Sequence, residues 1–136
     1  MEYMAKVSDI IFCLRATNTD EQGACANTVL TALSPEYVPG LFTFSVIITL
    51  LDIEPGKEHS ITIEFVSPEN ENLVHIESQV PQIEDSSNLP QEHKGLNLAM
   101  DWNNINFKTS GLYKIQVKLD DTLLAEKSIY VKGKNQ

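Results

Sequence analysis

Apolar and polar residues alternate along most of this chain. From Ser110 to Val131 the sequence reads as strand, tight turn, strand: Tyr113, Ile115, Val117 and Leu119 fall on one side, Lys114, Gln116 and Lys118 on the other. A period of two marks a strand with one dry and one wet face. Ser60 to Val66 repeats it, with Ile61, Ile63 and Phe65 inward and Thr62 and Glu64 outward. Leu73 to Val80 answers across a hairpin closed by Ser67 to Asn72, with Val74, Ile76 and Val80 opposite His75, Glu77 and Gln79. Gly95 to Phe107 alternates through Leu96, Leu98, Met100 and Trp102, then resumes one step out of phase at Ile105 and Phe107. Such a slip at Asn103-Asn104 predicts a bulge.

Two segments are apolar on both faces. Val7 to Arg15, centred on Ile10 to Leu14, reads as a strand covered on both sides. In Leu41 to Ile53, Phe42, Phe44, Val46, Ile48 and Leu50 face one way and Leu41, Ile47, Leu51 and Ile53 the other, as in a central strand. Ala16 to Ala26 reads as a polar loop, and Asn27 to Leu33 as a short strand or one helical turn. Turns are predicted at Glu54 to Lys57, at Lys108 to Gly111 and at Asp120-Asp121. Pro81 to Lys94 is the longest irregular segment; loops of that length tend to be functional. The pattern predicts about eight strands and no intervening helices. The fold class is therefore all-β, an antiparallel sandwich with Greek-key, jelly-roll or immunoglobulin-like connections. One domain is expected over residues 1–136, with residues 1–5 and 133–136 frayed.

A chain of 136 residues is large enough for its own core. The longest apolar run, Phe44 to Leu51, is well short of a membrane span. The start, Met1 to Lys6, shows no secretory signal, so a cytoplasmic location is expected. The formal net charge of −9 repels nucleic-acid phosphates and anionic membranes, and neither is expected as a partner. The same charge suits solubility, or a basic protein partner.

Candidate chemistry is sparse. His59, His75 and His93 share no metal-ligand spacing and read as isolated surface histidines. Ser34, Ser67 and Ser110 sit beside Pro or Gly, as turn serines do, and no nucleophile elbow occurs. Asp52 and Glu54 bracket Ile53 at a strand end, where they could act as acid and base or bind a cation. Cys13 reads as a small buried hydrophobe, and a Cys13–Cys25 bridge is not expected in a reducing compartment. The parity of Trp102 assigns it to the core; beside a bulge it could instead anchor a partner. No phosphate loop or arginine-rich face is present. Catalytic, cofactor-binding and metal residues are therefore all expected to be none, and no cofactor is implied.

Ser8 to Leu14 and Ser110 to Glu126, with Phe44 to Leu51, Ile61 to Phe65 and Pro68-Glu69-Asn70 between them, carry a resemblance. The chain resembles a bacterial family of uncharacterised small proteins that open with an apolar Asp-Ile strand and end in a Gly-x-Tyr hairpin. That resemblance implies a β-sandwich and brings no activity. Ser110-Gly111-Leu112-Tyr113 is also similar to the corner of immunoglobulin-type sandwiches, where a tyrosine hydroxyl ties a strand to the preceding loop; Ile115 stands where that family's cysteine follows.

The expected function is that of a non-catalytic protein-interaction module, binding another protein or its own copy. A small acidic inhibitor, phage- or plasmid-borne, that fills a basic groove of a nucleic-acid enzyme is an alternative. A ligand-binding or hydrolytic sandwich using Asp52, Glu54 or the histidines is a third.

Overall fold

The computed structural model describes residues 4–18, 24–54, 57–80 and 95–135. These form nine strands: β1 (Lys6–Asn18), β2 (Ala24–Val29), β3 (Ala32–Leu33), β4 (Gly40–Leu51), β5 (His59–Val66), β6 (Asn72–Val80), β7 (Gly95–Phe107), β8 (Gly111–Leu119) and β9 (Thr122–Val131). They make two sheets, ordered β2-β1-β4-β7 and β3-β9-β8-β5-β6. Every pairing is antiparallel except the two-residue contact of β3 with β9, which is parallel.

Three details differ from the sequence reading. The strand count is nine, because β3 is only two residues long. Residues 16–18 and 24–26 are not loop: they are the paired ends of a β1–β2 hairpin, with Ala16 opposite Ala26 and Thr17 opposite Cys25. Their small polar side chains suit an exposed edge ribbon, which sequence alone does not separate from a loop. The 27–33 stretch is strand and not helical turn. The predicted turn at 54–57 falls partly, and the long segment 81–94 wholly, outside the described residues.

The alternation of β5 and β8 is that of strands with one buried face. Ile61, Ile63 and Phe65 from β5 meet Tyr113, Ile115, Val117 and Leu119 from β8 on the inner face, opposite Phe12, Phe44, Val46, Ile48 and Leu50 from β1 and β4. An aromatic cluster knits the layers. Phe65 lies 5.8 Å from Phe44 and 5.7 Å from Tyr113, and Phe107 lies 5.2 Å from Tyr113. Such spacings suit offset and edge contacts between rings.

The slip in β7 is present. Phe42 pairs Ile105 but Phe44 pairs Trp102, so Asn103 and Asn104 together oppose Thr43. Asn104 takes a positive φ of 54°, and its N–H donates to Thr43 Oγ1 at 2.9 Å. The extra residue turns Phe107 into the core, where it is fully buried. Trp102 is also core, against Phe44 and Phe65 at 5.5 Å each, and its Nε1–H has no partner.

The immunoglobulin-type corner forms as the sequence implied. Tyr113 donates its hydroxyl to the Thr109 carbonyl at 2.7 Å. Gly111 has φ of 144°, and a Cβ there would approach Pro68 to 2.9 Å, so glycine is required. At the other end of the chain, Lys134 N–H donates to Pro35 O (2.8 Å) and Asn135 N–H to Glu36 O (3.3 Å). These bonds hold a stretch that was expected to fray.

Candidate functional site

The turn after β8 is a two-residue loop. Asp120 and Asp121 both take positive φ, 49° and 69°, a conformation that Asp tolerates and tight hairpins need. The turn lies beside the first residues of β5, because β8 pairs with β5 from Ile61 opposite Leu119. Asp120 exploits this. Its N–H donates to Ser60 O at 2.9 Å, and its carboxylate accepts the Ser60 N–H at 2.9 Å. The other carboxylate oxygen meets His59 Nδ1 at 2.7 Å.

His59 is not a surface histidine, as its sequence position suggested. It is buried, with Nδ1 on Asp120 and Nε2 3.4 Å from the Glu54 carbonyl. The hydrogen bond from His59, then that from the Ser60 N–H, hold the Asp120 carboxyl below the usual carboxylate range. Ala5, Asp52, Glu54, Lys57, His59, Leu119, Asp120, Thr122 and Leu124 line a crevice of about 310 Å³ here. The structure therefore gathers Asp52, Glu54 and His59, which sequence placed only in neighbouring turns. It does not turn them into a catalytic set. Both ring nitrogens of His59 face acceptors within the fold, and Asp120 is spent on His59 and Ser60. Asp52 accepts the Met4 N–H at 3.0 Å, and Glu54 lies 3.7 Å from Lys57. Among the described residues no cluster of three His, Cys, Asp or Glu could hold a metal.

His75 lies on the outer face of the five-stranded sheet, 3.2 Å from Glu77 and 3.9 Å from Glu64. His93 lies outside the described residues. Around His75 the face is a lattice of paired charges. Lys118 meets Glu64 at 3.5 Å and Lys114 meets Glu126 at 3.6 Å. A bond from Gln116, with Lys114 nearby, holds the Glu126 carboxyl low.

A second hollow, of about 370 Å³, opens between β6 and β7. Its walls are mostly apolar: Ile61, Ile63, Ile76, Val80, Leu98 and Met100, with Ser78 and Asn97 among them. The two strands are the terminal strands of their sheets. The open half of β1 is guarded by contrast. The Asp9 carboxylate accepts the Ile10 N–H at 2.9 Å, and Lys127 donates to the Ile10 carbonyl while standing 5.7 Å over the Phe12 ring. Lys127 lies between Ala125 and Ile129 at an inward-facing position of β9. A charge at an inward step of a strand was the sequence signal for this role, and the alternation argument passed over it.

Both cysteines are free. Cys13 pairs Val29 and Cys25 pairs Thr17 in the β1–β2 ladder. Four residues of strand separate them, about 13 Å, beyond disulfide reach. Burial first, then the Asp101 charge, pushes the Cys13 thiol up.

A family model matches residues 8–132, that of a family of unknown function, DUF6941. The chain belongs to this family. No curated protein matches it in sequence. Among solved structures, an immunoglobulin-like protein from Pseudomonas aeruginosa is similar over 95% of this chain and 97% of its own, at 15% identity and a TM-score of 0.50. That likeness shows the fold: this family member is an immunoglobulin-like sandwich. A β-glucosidase from Listeria innocua matches over 97% of this chain but 16% of its own length, at 11% identity and a TM-score of 0.49. Among the described residues no helix is long and apolar enough to cross a membrane.

Proposed function

We propose that this chain is a non-catalytic module that binds protein through its sheet edges. The observation that carries the reading is how the polar groups are used. In the crevice around His59, each titratable side chain that could perform chemistry is engaged by another part of the fold. The outer face of the five-stranded sheet balances its carboxylates against Lys114 and Lys118, which supports a solvated face over a reactive one. Terminal strands with free backbone groups are what such a sandwich offers to other chains.

Affinity capture with the folded chain as bait, read beside light scattering on the eluted protein, tests this. A defined partner or self-assembly at stoichiometric ratio supports it. A strict monomer that captures nothing, but turns over an esterase, phosphatase or glycosidase substrate, would overturn it.

A further inference from the structure

The terminal strands differ in how well they are protected against pairing. A long, uncharged edge is a template for another strand, and proteins usually blunt it with charge, proline, bulges or shortness. The free stretch of β9 carries Glu126 and Lys127, and β6 carries His75 and Glu77. The open half of β1 has its backbone capped at Ile10. β2 is six residues long, with Thr28 at a positive φ of 61°. β7 is thirteen residues long, ends the four-stranded sheet and holds one charge, Asp101. Its bulge lies at Asn103-Asn104, leaving residues 95–102 regular.

That regular stretch is nearly a palindrome in side-chain class. Read outward from Ala99, Leu98 matches Met100, Asn97 matches Asp101 and Leu96 matches Trp102. Two antiparallel copies centred on Ala99 would set apolar against apolar and carboxamide against carboxylate. No like charges would meet. Cross-strand matching of this kind is what stabilises an antiparallel pair, and a two-fold interface must be self-complementary. Leu98 and Met100 also line the apolar hollow beside β6, so the same pairing would lay a second Leu98–Met100 row along its mouth.

We propose that β7 is the strand through which two copies of this chain associate, antiparallel about a two-fold axis at Ala99. The four-stranded sheets of the two copies then become one continuous sheet. This rests on the reading of the chain as an interaction module and names the surface and the partner: a second copy.

The test is sedimentation of the full chain over a concentration series into the high micromolar range. The wild type is expected to move from 15.2 kDa to twice that mass. Ala99→Lys sets two ammonium groups against each other on the axis and is expected to stay monomeric, as is Ala99→Glu. An equimolar mixture of the two is expected to regain the doubled mass, because opposite charges then meet. Circular dichroism and the thermal midpoint of each variant check that it folds. If Ala99→Lys does not fold, Ala99→Cys in a Cys25→Ser background replaces it. Under a mild oxidant it is expected to cross-link to a dimer, whereas Glu77→Cys on β6 stays uncross-linked. A wild type that is monomeric at every concentration overturns the proposal, as does a dimer indifferent to Ala99→Lys. If that monomer still captures another protein, only the β7 pairing fails. If it captures nothing, the interaction reading fails with it.

Discussion

Asp120 shows how one residue can serve a turn and a brace together. Its left-handed backbone closes the β8–β9 hairpin, and its side chain ties that hairpin to the start of β5 through Ser60 and His59. A carboxyl whose folded pKa is depressed stabilises the fold above its unfolded pKa of about 3.9. That stability is lost as pH falls through the lower folded value. Asp120→Asn keeps the turn, since Asn also accepts positive φ, but loses the charge on the His59 bond. Half the Asp120 side chain is exposed, so solvent screening keeps the cost small, about 1 kcal/mol at pH 7. Urea midpoints at pH 7 and near pH 2 check this. The gap between wild type and variant is expected to close on acidification, and a gap that widens refutes the assignment.

The cysteines give a second expectation at this scale. Cys25 is exposed, whereas Cys13 is buried with a raised thiol pKa. Reactivity follows exposed thiolate. A thiol reagent is therefore expected to label one cysteine in the native protein and both in denaturant. Two fast native equivalents would mean that the Cys13–Ser45–Asp101 row is open.

At the scale of single elements, the strands with one dry face were legible because burial on one side imposes a period of two. Ser60 to Val66 and the closing hairpin emerge within a residue of their expected limits. The slip at Asn103-Asn104 was readable for the same reason: a bulge must shift the phase. The β1–β2 ribbon was not readable, because β2 is exposed along nearly all its length and no dry face marks its register. The crevice was half legible. Asp52, Glu54 and His59 are close in sequence, but the partner that fixes His59 lies sixty-one positions away, and no local pattern encodes such a meeting. The tyrosine corner belongs to this scale as well. Tyr113→Phe keeps the ring on Phe65 and Phe107 but strips the Thr109 carbonyl of its donor. The expected loss is about 1–2 kcal/mol, seen as a lower urea midpoint at unchanged slope. An unchanged midpoint would mean that the hydroxyl adds nothing to the corner.

For the whole molecule, the two sheets are held by one aromatic cluster drawn from five strands. Phe65 is at its centre, with Phe12, Phe44, Trp102, Phe107 and Tyr113 all between 5.5 and 6.4 Å. Four of these neighbours, Phe12, Phe44, Trp102 and Phe107, belong to the opposite sheet. Removing the ring would therefore open a void that neither sheet can fill alone, because the ladders on both sides fix the backbones. Phe65→Ala is expected to cost about 3–5 kcal/mol, a large part of the stability of a domain this size. Phe65→Leu keeps most of the volume and should cost much less. Val74 is also apolar and inward-facing, directly across the β5–β6 ladder from Phe65, but only partly buried. Val74→Ala should cost less than Phe65→Ala. Equilibrium denaturation of the three variants orders them. If Val74→Ala proved as damaging as Phe65→Ala, the open side between β6 and β7 would be as tightly packed as the centre. The hollow beside it would then be no place for a second strand to settle.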